Sequence, residues 1–247
     1  MPDSKLKEEL LAIMDRKDHW AWKFFSGEKV SIDQLKVHFT QEYAVYVRDF
    51  PVFLGRILGK NPPAEVRRDL AENIFEEETG RLSMTGPHPI LFLKMMEGLG
   101  FSPSLFDNAS LLPESRFYRE WLDEVTLKGS WQEGAAVMAI FVEGSVKDRK
   151  EIDDSVPDQS EDIETKIRNH PLVRFHGVDL RCMDLIRAHS LVERGHRKAA
   201  WRMVMGNIGA AKTNLKVRSA LEKSLKLWLA YRDAVAAACG FDKSLKG

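Results

Sequence analysis

Apolar residues recur at helical spacing along almost the whole chain, and no segment shows the strict alternation of a half-buried strand. Leu6 to Met14 follows the helical period. Ser31 is placed to cap a long helix from Ile32 to about Leu58, which Pro51 should kink because it lacks the amide hydrogen and crowds the preceding turn. Pro62 and Pro63 open a helix that runs to Glu78 and that Gly80 stops. Pro89 to Leu99 forms a further helix, closed by Gly100, and Glu114 to Val125 is amphipathic. Gln132 to Val146 is strongly apolar. Ile163 to Asn169 is short, and His170-Pro171 marks a break. A long helix spans Val173 to Met205 with an interruption near Gly177, and Lys216 to Cys239 is the last. The acidic segment from Lys150 to Glu161, KEIDDSVPDQSE, reads as a surface connection or a lid. About seven to eight helices without a repeat or a low-complexity tract predict an all-α fold, a single bundle and a single domain over residues 1–247.

One of these helices carries chemistry. His189, Glu193 and His196 form His-x3-Glu-x2-His between Asp184 and Val204. At about 100° per residue the three side chains fall within roughly 60° of one another. Leu185, Val192, Ala199, Ala200 and Met203 share that arc, whereas Arg187, Arg194 and Lys198 lie opposite, so the arc is the expected buried face. An unpaired carboxylate or imidazole is costly there. A metal ion would supply the partner, and two imidazoles with a carboxylate make half of a transition-metal site.

Further donors lie upstream. The segment from Ala135 to Val146, AAVMAIFVEGSV, is apolar on all sides except for Glu143 and Ser145. A helix of that kind is buried, and a carboxylate in it must be protonated, paired or metal-bound. Glu76, Glu77 and Glu78 end the Pro62 helix; Glu77 shares a face with Val66 and Leu70, and Glu78 shares one with Ala71, Ile74 and Phe75, so spacing leaves both open. His88 follows a glycine-containing loop. Three imidazoles and three carboxylates suit iron or manganese better than zinc, whose structural sites favour four ligands and thiolates, and helical bundles hold carboxylate-bridged dimetal sites of this composition.

Composition removes other classes. Lys plus Arg equals Asp plus Glu at 37 each, so net charge gives no reason to expect nucleic acid or an anionic membrane surface as partner. Cys182 and Cys239 stand in no zinc or redox spacing. The first residues, MPDSKLKEELLAIMDRK, have no apolar signal core, and no stretch has the length of a membrane span. The expectation is a reduced, cytoplasmic protein.

Taken together these motifs resemble the heme-oxygenase-like diiron oxidases, the non-heme branch of the fold shared by the pyrroloquinoline quinone synthesis protein C and the thiaminase TenA. The segment from His19 to Pro51, including QEYAVYVRDFP, resembles the family's first long helix. NIFEEETG, His88 and LFLKMMEGLG are similar to the region of its first ligand pair, which selects Glu77 among the three glutamates. FVEG supplies Glu143, and the helix with His189, Glu193 and His196 matches the last three ligands. The resemblance implies two irons per chain (manganese is an alternative) held by Glu77, His88, Glu143, His189, Glu193 and His196, with O2 as co-substrate, a small organic molecule as substrate, and a possible homodimer. Many relatives carry Asp where this chain has Glu193, and the loop RLSMTGP before His88 is long. The branch linked to p-aminobenzoate uses a tyrosine and a lysine; here Trp22 and Asp153 stand near those positions, so that activity is not implied.

Three other readings use the same residues. A metal-free oxidase would employ the His and Glu side chains as acid–base groups. A TenA-like hydrolase would need a cysteine nucleophile in the pocket. A non-enzymatic helical interaction protein would pair the buried polar residues with Arg or Lys.

Overall fold

The computed structural model describes residues 4–153 and 162–244, and the side chains of these except for Val192, Glu193, Arg194 and His196. The acidic segment 150–161 therefore lies mostly outside the described residues. Every regular element among those described is helical.

The centre of the bundle is the apolar segment predicted over Gln132–Val146. Ser130 and Glu133 form a capping box at its start, each side chain meeting the other residue's backbone N–H. An α-helical turn over Trp131–Ala135 passes into a π-helix over Ala136–Val142, and every residue from Ala135 to Phe141 is buried. Two long helices, Asp184–Met205 and Ala211–Ala238, pack against it. The π-helix ends where the Lys17 ammonium, carried in after the N-terminal helix Ser4–Met14, donates to the carbonyls of Phe141 (2.5 Å), Val142 (3.1 Å) and Gly144 (2.6 Å). A cation at the carbonyl end of a helix is favoured by the peptide dipoles and satisfies acceptors that have no partner within the helix.

The long helix predicted from Ile32 to Leu58 is three pieces. Ser31 caps Ile32–Glu42, a π-helix follows over Tyr43–Val47, and Phe50–Leu58 begins after a turn. Pro51 starts the second α-helix instead of kinking one continuous helix, because an early helical position needs no N–H donor. The helix Ala64–Thr79 ends at Gly80, whose φ of 61° is left-handed. A Cβ on Gly80 would lie 2.3 Å from the backbone N and O of Gly86. That close approach folds the loop back, so that the next helix, His88–Gly98, starts beside the end of the last. The interruption near Gly177 is also present, with φ 67°, between a short helix over Pro171–Arg174 and the helix Asp184–Met205. More segments appear than the seven to eight expected, because prolines, glycines and π turns divide stretches that the hydrophobic period reads as continuous.

Candidate metal centre

The helices Ile32–Glu42, Ala64–Thr79, His88–Gly98 and Asp184–Met205, with both π-helices, surround a cavity of about 400 Å³. A π turn inserts a residue into the helical register and redirects the side chains beyond it. The Glu143 amide donates to the Met138 carbonyl, five residues back, at 3.2 Å, and the Arg48 amide does the same to Tyr43 at 3.1 Å. Tyr46, Val47, Val142 and Glu143, all at or just after these turns, line the cavity.

Glu77, His88, Glu143 and His189 line this one space, with His170 and Arg197. The His88 and His189 rings are 5.2 Å apart, edge to face. His88 is buried and held from both sides: Nδ1 lies 2.9 Å from Glu77 Oε1, and Nε2 lies 3.3 Å from Glu76 Oε1. Burial alone would push its pKa down; the hydrogen bonds and charges of the two glutamates outweigh that and raise it. Glu76 is fully buried, and its Oε2 accepts from the backbone N–H groups of Leu82 (2.7 Å) and Ser83 (3.3 Å). Burial would raise its pKa, yet these donors hold the carboxyl below its ordinary range. Glu143 accepts from the Asn73 amide at 2.7 Å. Arg197, buried beside the cavity, is bonded to Glu151 and to the Ser145 hydroxyl (3.2 Å), with Asp148 at 3.7 Å.

The structure separates the three glutamates that spacing left open. Glu78 is exposed, Glu77 lines the cavity, and Glu76, which spacing did not single out, is fully buried beneath His88. Its burial depends on the folded-back loop, which helical periodicity does not encode. His189 is corrected in another respect. It lies on the cavity side but is exposed, because its arc faces an open cavity and not packed core. Leu185, Ala200 and Met203 on that arc are buried as expected. The side chains of Glu193 and His196 lie outside those described; both positions belong to the helix Asp184–Met205. Among the described residues no three of His, Cys, Asp or Glu converge closely enough to enclose an ion. The donor types nevertheless fit iron. Two imidazoles and two carboxylates face one space, and His88 would exchange one carboxylate hydrogen bond for a metal bond. Trp22 does not line this cavity, and Lys147 and Lys150 are exposed. No helix among the described residues is long and apolar enough to cross a membrane.

The cavity of this all-α bundle gathers His and Glu from four helical segments, and the comparisons say which family such a chain belongs to. Residues 37–229, which contain every candidate ligand, match the family described as iron-containing redox enzymes, and the chain belongs to that family. A TenA homolog from Pseudomonas syringae pv. tomato str. DC3000 superposes with a TM-score of 0.66 at 15% identity, covering 94% of this chain and 91% of that one. At that identity the likeness establishes the shared heme-oxygenase-like fold and nothing further. No curated protein matches the chain.

Proposed function

We propose that this protein is a non-heme diiron enzyme that uses O2 to oxidise a small organic molecule. One observation carries the reading: side chains from four separate helical segments, Glu77, His88, Glu143 and His189, meet at one cavity in a member of an iron-containing redox family. Iron bound there would supply electrons to O2 and positions for it to bind, which side chains lack. Glu77, His88, Glu143 and His189 would hold it together with Glu193 and His196; manganese suits the same donors. Asn73 orients Glu143 through its amide, and Glu77 fixes the ring of His88 through Nδ1. Phe39, Phe92, Met95 and Leu185 line the cavity and limit water next to the reacting groups. A cavity of about 400 Å³ supports a small molecule as the substrate.

Elemental analysis after anaerobic Fe(II) loading tests the reading. The expected result is up to two irons per chain, with a large loss in His189→Ala. Less than a few tenths of an equivalent, unchanged by that substitution, would defeat it.

One observation supports the metal-free alternative. His88 already has a carboxylate at each ring nitrogen, an arrangement suited to holding or passing a proton. The TenA-like alternative is compatible with the fold, but neither cysteine lines the cavity, and burial pushes the Cys239 thiol up to about 11.

A further inference from the structure

The π-helix over Ala136–Val142 stops without the bonds that would continue it. In a continuing α-helix the Phe141 carbonyl would accept from the Ser145 amide. That amide turns away and donates to Asp148 Oδ1 at 2.7 Å. The last carbonyls of the helix are then left to donors from outside it. Lys17 supplies them: its Nζ donates to the carbonyls of Phe141 (2.5 Å), Val142 (3.1 Å) and Gly144 (2.6 Å). Val142 and Gly144 flank Glu143, so one ammonium holds the chain on both sides of that residue. The same group lies 5.0 Å from the centre of the Phe141 ring and 5.8 Å from that of Trp228.

Lys17 reaches this peptide from the side away from the candidate metal centre. A second cavity, of about 340 Å³, shares Glu42, Tyr46 and Val142 with the first; Lys17 and Gly144 line the second, whereas Glu143 lines the first. Arg232 also lines the second cavity, but it donates to Glu42 Oε1 at 3.1 Å, which leaves Lys17 as the cation at the helix end. The described hydrogen bonds of Lys17 all go to carbonyls and none to a carboxylate. An ammonium drawn out of water without a counter-ion is costly, so the helix end is what holds it there. The fit is close at Gly144 as well, where a Cβ would lie 2.1 Å from the Ile140 carbonyl oxygen and 2.8 Å from Met14 Cε of the N-terminal helix. Asn73 fixes the Glu143 carboxylate (2.7 Å), but it does not set the direction of the backbone that carries it. Lys17 lies outside residues 37–229, so this hold on Glu143 comes from a part of the chain that the family match does not reach.

We propose that Lys17 is a positioning residue for Glu143: its ammonium clamps the carbonyls on both sides of that residue and so fixes the direction in which the end of the π-helix presents the carboxylate to the first cavity. Its bearing on iron rests on the diiron reading above; the clamp itself does not. Groups that orient a metal ligand without touching the metal change its affinity by about 10–100-fold.

The test uses the full chain with Lys17→Met, which keeps the length of the side chain and removes its donors, and Lys17→Arg, which keeps donors on a cation. In metal-free protein, hydrogen exchange at the Glu143 and Gly144 amides, which bond to Met138 and Ile140, should be at least tenfold faster in Lys17→Met and return toward wild type in Lys17→Arg. Exchange in the helix Ala211–Ala238 should not change. Anaerobic Fe(II) titration should show affinity at least tenfold weaker in Lys17→Met and largely restored in Lys17→Arg. In a Glu143→Ala background the Lys17→Met change should move the affinity by less than twofold, because a residue that acts through Glu143 has nothing left to position. Unchanged exchange at the two amides, or exchange that rises equally throughout the helix Ala211–Ala238, would overturn the clamp. So would an equal loss of Fe(II) affinity with and without Glu143, which makes Lys17 a general scaffold residue. If Lys17→Met does not fold, Lys17→Gln, with two donors and no charge, takes its place in each measurement under the same criteria. If no form of the protein binds iron, the redox reading falls and the exchange result alone decides the clamp.

Discussion

The two cavities meet at Glu42, Tyr46 and Val142 and differ in their polar groups. Around the first, carboxylates and imidazoles outnumber cations, and much of that polar chemistry is held by protein hydrogen bonds: Glu76 accepts from a loop backbone, Glu143 accepts from Asn73, and His88 lies between two glutamates. Around the second, Arg232 and Lys17 stand beside Glu42 and Asp18, burial pushes the Lys17 ammonium down to about 7, and Arg232 keeps two buried nitrogens without acceptors. One shared wall separates the two spaces. The π-helices make this possible: one places Tyr46 and the other Val142 at the divide.

The comparison breaks most sharply at the proposed metal ligands. His189→Ala and Glu143→Ala should each lower Fe(II) affinity by at least about 100-fold, since even outer partners of a metal ligand are worth 10–100-fold. Glu143→Ala should leave the fold intact, because it removes a half-buried carboxylate rather than packing. Elemental analysis with thermal melting of the apo protein measures both; a large drop in melting temperature with unchanged iron would make Glu143 a structural ion-pair partner instead.

Around the second cavity the largest effect is on stability. Arg232→Gln leaves Glu42 without its buried counter-charge and should cost about 3 kcal/mol in urea unfolding at pH 7. The pH dependence sharpens this. Burial would raise the Glu42 carboxyl, but the Arg232 charge and the hydrogen bond from His38 hold it well below its ordinary value of 4.5. A group depressed in the folded state contributes stability above its unfolded pKa and loses it as pH falls toward the folded one. Wild type should therefore lose stability progressively below about pH 4.5, where the unfolded carboxyl begins to bind protons. Arg232→Gln should show a shallower acid slope, and parallel slopes would remove Glu42 from the account.

Smaller effects separate scaffold from ligand. Gly80→Ala should cost about 2 kcal/mol, from its left-handed backbone and its collision with Gly86. It should reduce iron loading through His88. Asn73→Ala should cost only about 1 kcal/mol and weaken iron roughly tenfold by releasing Glu143. Chemical denaturation and metal titration of the two variants check these values; an Asn73→Ala protein with unaltered iron affinity would mean that the amide does not orient the ligand.

Helical periodicity and end signals were enough to read an all-helical fold, since each depends on residues within a turn or two of one another. Ser31, Gly80 and the break near Gly177 do locally what their residue types require. His189 at the cavity was legible from the His-x3-Glu-x2-His spacing, and Glu143 stood out because its helix is otherwise apolar. The π turns were not legible: a run such as AAVMAIFV serves α and π registers equally, and only packing against the helices Asp184–Met205 and Ala211–Ala238 selects between them. Nor could spacing choose among Glu76, Glu77 and Glu78, which differ by what the Gly80–Gly86 contact folds against them. Arg232 lies 190 residues from Glu42, and their ion pair exists only because the bundle brings the last helix against an early one. The sequence by itself singled out the candidate iron ligands. Tertiary structure decided which of them share a cavity, because the walls of that space are assembled from segments distant in the chain.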